Sequence, residues 1–265
     1  MEKSYENPAT APVASSPEEE YGLIGYPLGH SFSARFFAEK FEKEQCSATY
    51  QNFEIPEAET LKEIIRQHPK LKGVNVTIPH KQAVMPLLDA LSDEAKAIGA
   101  VNVIQIRHTE AGGILLKGYN SDVIGFCDSL RPLLKPYHTH ALVLGTGGAS
   151  KAVVYGLKRM GITPLYVSRT PHPGRLTYQN LTEKVLQQNL LIVNCSPVGM
   201  YPHVDECPDI PYEYLSSRHL LFDLVYNPLE TLFLKKGREM GATTQNGLEM
   251  LHLQALASWD FWHEK

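Results

Sequence analysis

Ala141-Leu-Val-Leu-Gly145-Thr146-Gly147-Gly148-Ala149-Ser150-Lys151 is the stretch whose reading decides the fold. Four largely apolar residues, a glycine turn and a helical run to Met160 predict strand, turn and helix. Glycine lets the backbone turn sharply and approach a ligand that a Cβ would block. The opening of the helix offers free N–H groups and a positive dipole end, which suits a pyrophosphate. The spacing is that of the dinucleotide fingerprint, with Ser150 in the third small position. Taken alone it is also compatible with an ordinary strand-to-helix turn.

Downstream, an apolar segment at residues 162–167 ends in Ser168-Arg169-Thr170, with Arg175 shortly after. A dinucleotide fold places the adenosine ribose at the end of this second strand, where NAD sites carry an acid that accepts from the 2′-hydroxyl. No acidic residue occurs between Met160 and Asn180. Two arginines stand there instead, and a guanidinium fork matches a phosphate. The expected cofactor is NADP(H), the alternative being arginines on a solvated loop. Apolar runs at 141–145, 162–167, 190–195 and 220–225 alternate with helical segments, which predicts a parallel doubly wound sheet. Ligands of such sheets lie beyond the carboxyl ends of the strands. The glycine turn, residues 194–200 and residues 223–228 are expected to converge there.

Upstream, residues 21–25 predict a short buried strand, followed by Leu28-Gly29-His30-Ser31-Phe32-Ser33. Ser33 is expected to cap a helix carrying Phe36, Phe37 and Phe41. Two hydroxyls beside the free N–H groups of a helix start also make a cradle for a carboxylate. Strands at 50–55 and 71–76 flank an amphipathic helix at 57–68. The third strand runs into Asn75-Val-Thr77-Ile-Pro-His-Lys81. Lys81 is expected at the start of a following helix, where the dipole disfavours a cation. An ammonium kept there points to chemistry, against the default of a surface lysine. Residues 101–107 and 113–118 predict a hairpin with its turn at 108–112. Asp122 opens a helix carrying Ile124, Phe126 and Leu130, where a carboxylate suits the dipole. A last helix, 247–263, carries Leu248, Leu251, Ala255, Trp259 and Trp262 at helical spacing, with Gln254 close to the same face.

The chain has 265 residues, 43% of them hydrophobic, which suits one large or two modest domains. A net charge of −4 gives no electrostatic case for nucleic acid. No apolar run is long enough to span a membrane. Cys46, Cys127, Cys195 and Cys207 show neither C-x-x-C spacing nor a zinc pattern with the histidines. They read as reduced thiols of a cytoplasmic protein, and no metal is expected. No H-E-x-x-H, Walker A or G-x-S-x-G motif occurs, which disfavours zinc proteases, P-loop enzymes and common serine hydrolases. Residues 1–20, with Pro, Ala, Ser and Glu but no apolar core, are expected to form a mobile extension and not a secretory signal.

Gly25-Tyr-Pro-Leu-Gly-His-Ser31-Phe-Ser33, Asn75-Val-Thr77-Ile-Pro-His-Lys81, Gly99-Ala-Val-Asn102, Asn120-Ser-Asp122, the glycine turn, Ser168-Arg169-Thr170, Asp223-Leu-Val-Tyr226-Asn-Pro and Gly247-Leu-Glu-Met-Leu-x-x-Gln254 follow one another in order. Together they make the chain resemble the shikimate dehydrogenase family of the chorismate pathway, from about Tyr21 to Gln254. The resemblance implies a two-domain α/β protein with its active site in the cleft between the domains. The N-terminal α/β substrate-binding domain would span 21–121 and be completed by 247–265, and a Rossmann-like NADP-binding domain would span 122–246. The implied activity is that of an oxidoreductase that reversibly reduces 3-dehydroshikimate to shikimate with NADPH, without a metal.

Residue by residue, the resemblance implies that Ser31, Ser33 and Tyr226 hold the substrate carboxylate. Thr77, Asn102 and Gln254 would bind ring hydroxyls, and Lys81 and Asp122 would form the catalytic pair. Gly145, Thr146, Gly147, Gly148 and Ala149 match the phosphate turn, and Ser168, Arg169, Thr170 and Arg175 the adenosine phosphate site, with Gly247 beside the cofactor. Three positions depart from the family pattern: Ala34 for a usual proline, Ser168 for a common asparagine, and Cys195 where alanine or threonine is usual. A monomer or homodimer acting on a small molecule is expected. Two other readings stay open: a quinate/shikimate enzyme with broader substrate or NAD use, and a non-catalytic ligand-sensing module on the same scaffold.

Overall fold

The computed structural model, which describes residues 18–28 and 32–264, divides its strands between two six-stranded sheets. The first half of the chain runs β1 (Glu19–Gly25), α1 (Phe32–Glu44), β2 (Ala48–Glu54), α2 (Leu61–Gln67), β3 (Leu71–Val76), β4 (Ala90–Leu91), α3 (Asp93–Ile98), β5 (Val103–His108) and β6 (Ile114–Tyr119). The second half runs α4 (Asp122–Leu130), β7 (His140–Leu144), α5 (Gly148–Arg159), β8 (Thr163–Ser168), β9 (Leu176–Thr177), α6 (Glu183–Gln188), β10 (Leu191–Asn194), β11 (Leu220–Asp223), α7 (Leu232–Glu239), β12 (Thr243–Gln245) and α8 (Leu248–His263).

The second sheet has the order β12-β11-β10-β7-β8-β9, and every neighbouring pair is parallel. This is the doubly wound dinucleotide order, and its switch point falls between β7 and β10. Successive residues of β7 point to opposite faces. Ala141 and Val143 enter a core shared with α4, α5 and Met250 of α8. Leu142 and Leu144 enter another, shared with Leu186 of α6 and Phe233 of α7. Both faces are covered, which is why these strands read as continuous apolar runs.

The first sheet, β2-β1-β3-β5-β6-β4, is mixed: β1 is parallel to β2 and β3, while β5 runs antiparallel to β3 and β6. Ile24, Val74, Val76, Ile104 and Ile106 pack on one face with Leu61, Ile64 and Ile65 of α2. Tyr21, Val103 and Tyr119 pack on the other with Phe37 and Phe41 of α1 and Trp262 of α8. The Trp262 indole fills the space over Gly73, where an added Cβ would overlap its ring, and its Nε1 donates to the Ile104 carbonyl at 3.2 Å. Through Met250 at one end and Trp262 at the other, α8 contributes to a core of each sheet.

Several expectations need correction. The expected extension, residues 1–20, lies outside the described residues except for Glu18, Glu19 and Glu20, and the last two open β1. There the Glu20 N–H donates to the Lys70 carbonyl at 3.0 Å and its carboxylate meets His68 Nδ1 at 2.8 Å, so the end of the extension is ordered. The amphipathic helix begins as a 3-10 turn at Ala58–Thr60 before α2. Ser33 lies inside α1, one residue past its first, and so is not a cap ahead of it. No α-helix starts at Lys81. Residues 78–84 form a run of turns ending in a 3-10 turn at Met85–Leu87, in which the single i→i+4 bond from the Val84 N–H to the His80 carbonyl at 3.0 Å is not continued. The dipole argument for Lys81 therefore has no helix to act through. Among the described residues, no helix is long and apolar enough to cross a membrane.

Candidate active site

Lys81 projects from the turns after β3, where its carbonyl accepts from the Val101 N–H at 2.7 Å. Its ammonium donates to one carboxylate oxygen of Asp122, the first residue of α4. The other oxygen of Asp122 accepts from Asn102 Nδ2 at 2.9 Å. That amide also donates to Ser121 Oγ at 2.9 Å, while Asn102 Oδ1 accepts from the Ser121 N–H at 2.6 Å. Asp122 and Asn102 are buried, so each side chain is held in place by partners and not by solvent.

The network extends further than the motifs indicate. Ser121 Oγ lies 3.1 Å from Ser258 Oγ and 3.4 Å from Gln254 Oε1, both on α8. Ser258 Oγ accepts from Asn75 Nδ2 at 2.9 Å, and Asn75 Oδ1 accepts from the Tyr50 hydroxyl at 2.8 Å. Tyr50 is in turn hydrogen-bonded to Ser33, and burial pushes its phenol well above the ordinary value. One buried chain of hydrogen bonds thus runs from Ser33 on α1 to Lys81. Asn75, Ser258 and Tyr50 were not among the residues expected at the site. Asn75 carried a signal, being a polar residue within the apolar run of β3. Ser258, a small residue four positions after Gln254, carried none.

Of the residues expected near the substrate, Thr77 sits at the end of β3, where its N–H donates to the Ile24 carbonyl at 2.9 Å. Gln254 faces Ser121, and its Nε2 donates to the Leu251 carbonyl at 2.9 Å. Tyr226 meets Phe32 edge-on at 6.1 Å between ring centroids, so it lies beside the turn that opens α1. Ser31 lies outside the described residues.

The Tyr226 loop is anchored by Asp223, a fully buried carboxylate at the end of β11. Asp223 accepts from Asn194 Nδ2 at 2.9 Å, Thr231 Oγ1 at 2.6 Å and the Val225 N–H at 3.0 Å. Burial outweighs these bonds and pushes its carboxyl from 3.8 up to about 6. Gly247, ahead of α8, donates its N–H to the Val225 carbonyl at 3.1 Å, and a Cβ there would overlap Leu224.

Across the cleft, β7 is followed by Gly145 at φ +105, a conformation that favours glycine. α5 starts at Gly148, with Gly147 before it and no side-chain cap on its first N–H groups. Thr146 and Gly147 are exposed, and a Cβ on Gly147 would meet no protein atom within 4 Å. The turn therefore leaves room and open N–H donors for an anion. Buried Ser150 fits the third small position by returning its hydroxyl to the Gly147 carbonyl at 2.7 Å. Ala149 lies between them in the first turn of α5.

Beyond β8, the Ser168 hydroxyl closes its own turn on the Thr170 carbonyl at 2.7 Å, leaving Arg169 and Thr170 exposed. Arg175 lies over the Tyr166 ring, 5.5 Å from its centroid. It lines a cavity of about 430 Å³ together with His172, Thr177 and Asn180. Arg169 is near enough to Tyr178 for its charge to oppose the upward push of burial on that phenol. The two sides of the cleft meet at Lys81. A Cβ on Gly148 would lie 3.5 Å from Lys81 Cβ and 3.6 Å from its Cδ.

As a class, this layout defines a two-lobed α/β oxidoreductase that works on a dinucleotide. The family model for the shikimate dehydrogenase substrate binding domain matches residues 23–104. A shikimate dehydrogenase (NADP(+)) of Caldanaerobacter subterraneus subsp. tengcongensis is 36% identical, the match covering 93% of this chain and 92% of that one. The chain belongs to the shikimate dehydrogenase family. Its fold is similar to the crystal structure of the Aquifex aeolicus enzyme, with a TM-score of 0.81, 34% identity and 94% of each chain covered. It is also similar to the Thermus thermophilus enzyme in complex with NADP(H) and shikimate, with a TM-score of 0.79 and 31% identity over 92% of this chain and 93% of that one.

Proposed function

We propose that this chain catalyses the reversible, NADP(H)-dependent reduction of 3-dehydroshikimate to shikimate, the reaction of its family in the chorismate pathway. The observation that carries the reading is the proximity of Lys81, paired with Asp122, to Gly148 of the glycine turn, where an added Cβ would touch the Lys81 stem. A proton donor and a dinucleotide cradle on opposite walls of one cleft are what ketone reduction needs.

The residues present fit the cofactor. The open N–H groups and uncrowded backbone of Gly145, Thr146, Gly147, Gly148 and Ala149 would hold the pyrophosphate. Arg169 and Arg175, with Ser168 and Thr170, would hold the 2′-phosphate. Gly247 lets the start of α8 come close to residues 224–225 beside the cofactor. When bound, NADPH supplies the hydride to the carbonyl carbon. Ser31, Ser33 and Tyr226 take the substrate carboxylate, and Thr77, Asn102 and Gln254 the ring hydroxyls. The Lys81 ammonium donates to the ketone oxygen, stabilises the negative charge that builds there and gives up its proton. In the reverse direction the neutral amine takes the proton of the shikimate hydroxyl. Asp122 keeps Lys81 aimed at that oxygen, and Asn102 keeps Asp122 in place.

On this reading, residues 21–121 with 247–265 form the substrate-binding unit and 122–246 the NADP-binding unit of a cytoplasmic monomer or homodimer. Absorbance at the nicotinamide band tests it, with shikimate or quinate set against NADP⁺ or NAD⁺ in separate cuvettes. Turnover confined to shikimate with NADP⁺ is expected. Comparable turnover with quinate or NAD⁺ would move the chain to broader specificity. No turnover in any cuvette would favour a sensing module.

A further inference from the structure

Lys151 is a cation in the first turns of α5, where a helix dipole disfavours positive charge. Its own helix does not supply its partners. The ammonium donates to Gln82 Oε1 at 2.7 Å and to the Gly99 carbonyl at 3.3 Å, both on the substrate side of the cleft. Gly99 closes α3 in the left-handed conformation, so its carbonyl stands at the negative end of that helix. The charge is thus placed against its own dipole and in favour of the one across the cleft.

These two acceptors flank Lys81. Gln82 is its neighbour in sequence. Gly99 lies two residues before Val101, whose N–H is bonded to the Lys81 carbonyl at 2.7 Å. One ammonium therefore grips both the turn that carries Lys81 and the segment hydrogen-bonded to it. Residues three apart on a helix share a face, and three residues before Lys151 is Gly148, close enough to Lys81 that an added Cβ would touch its stem. Farther along the same helix, Arg159 pairs with Glu94 of α3 at 3.7 Å.

We propose that Lys151 is a positioning residue for the reaction. It locks the glycine-turn helix to the segment carrying Lys81 and so sets the distance between the hydride donor and the proton donor. This rests on the dehydrogenase reading. Alignment of reacting groups governs the rate steeply, because small misplacements are costly. The lock should therefore act on catalysis more than on the binding of either ligand alone.

The test uses the full chain with Lys151→Met, Gln82→Ala, the double variant and Lys151→Arg. Lys151→Met is expected to lower kcat/KM for shikimate about tenfold, with the Kd for NADP⁺ alone changed less than about twofold. Gln82→Ala should lose less, the double variant no more than Lys151→Met, and Lys151→Arg should recover most of the loss, since contacting partners are not additive. Hydrogen exchange at the Val101 and Met85 amides should quicken in Lys151→Met, whether or not the protein turns over shikimate. Unchanged kcat/KM and unchanged exchange would overturn the lock. A Kd for NADP⁺ weakened as much as kcat/KM, with additive losses in the double variant, would make Lys151 a cofactor phosphate ligand instead. A wild-type chain that turns over no substrate would refute the dehydrogenase reading, and exchange alone would then decide the lock.

Discussion

On the substrate wall of the cleft, Asn75, Asn102, Ser121 and Asp122 are buried, and each is held by two or more hydrogen bonds. On the cofactor wall, Thr146, Gly147, Arg169 and Thr170 are exposed, and the backbone of the glycine turn supplies the geometry. A wall built of interlocked side chains keeps each member in one orientation, but it loses much when any member is removed, because the partner left behind keeps a buried donor or acceptor unsatisfied. A wall built of backbone tolerates side-chain change, and its side chains tune which dinucleotide is preferred. Substitutions on the first side should damage catalysis and stability together, and those on the second should shift specificity with the fold untouched.

The largest effect is expected at Lys81. Lys81→Ala should lower kcat by about 10² or more, the usual scale for an acid–base group, while circular dichroism shows the fold retained. Near-normal kcat would remove Lys81 from the chemistry and end the comparison, since the substrate wall would then hold nothing reactive.

Two buried aspartates, Asp122 and Asp223, allow a sharper contrast. Asp122 faces a lysine, whereas Asp223 is met by the neutral donors Asn194, Thr231 and the Val225 N–H. The Asp223 carboxyl, pushed from 3.8 to about 6, keeps its proton in the folded chain over a range where the unfolded chain has released it. Its contribution to stability is therefore full below about pH 4 and lost as pH rises to about 6, by up to about 3 kcal/mol. Denaturant midpoints at pH 4.5 and 6.5 should show Asp223→Asn lacking this loss, because the amide does not ionise and its Oδ1 still accepts from Asn194 and Val225. Parallel profiles for wild type and variant would show that Asp223 titrates alike in both states.

The next effect belongs to the buried chain of hydrogen bonds. Asn75→Ala removes the acceptor of the Tyr50 O–H, leaving that hydroxyl only its bond to Ser33, and removes a donor from Ser258. It should cost about 1–3 kcal/mol of stability, the range for unsatisfied buried groups, and raise the KM for shikimate without moving that for NADP⁺. A stability change within 0.5 kcal/mol, at the level of an ordinary surface substitution, would mean that solvent replaces Asn75 and that the two walls differ less than their hydrogen bonds suggest.

The same contrast governs what the sequence discloses. The dinucleotide sheet is legible because its signals are local: apolar runs buried on both faces, and glycines where φ or close approach leaves no other choice. Lys81, Asp122, Asn102 and Gln254 were expected from motifs, and the fold brings them together. The polar chain that joins them is not legible, since Asn75 and Ser258 are 183 positions apart and, although Asn75 stands out in an apolar strand, nothing in its spacing points to Ser258. Ser33 and the segment around Lys81 were placed by helix-start rules. Those rules fail at Lys81 because the chain there makes turns whose single i→i+4 bond is not continued into a helix, and at Ser33 because α1 has already begun one residue earlier. Lys151 stood at the end of the quoted glycine turn, but its partners lie in another sheet's connections, beyond the reach of spacing.

The smallest effect tests the exposed wall by itself. Arg169 is exposed, so Arg169→Ala should leave the denaturant midpoint unchanged. NADPH and NADH differ only in the 2′-phosphate, and a bond to a charged group is worth about 1.5–3 kcal/mol. The KM for NADPH should rise about tenfold or more, with that for NADH nearly constant. Arg175 is steadied on Tyr166 and should behave likewise, with a smaller rise for NADPH because its guanidinium is partly engaged by the ring. Equal shifts for both cofactors would mean that the arginines act through the turn they sit on and not through the phosphate. A fall in stability would mean that the exposed wall, like the buried one, is held by its side chains.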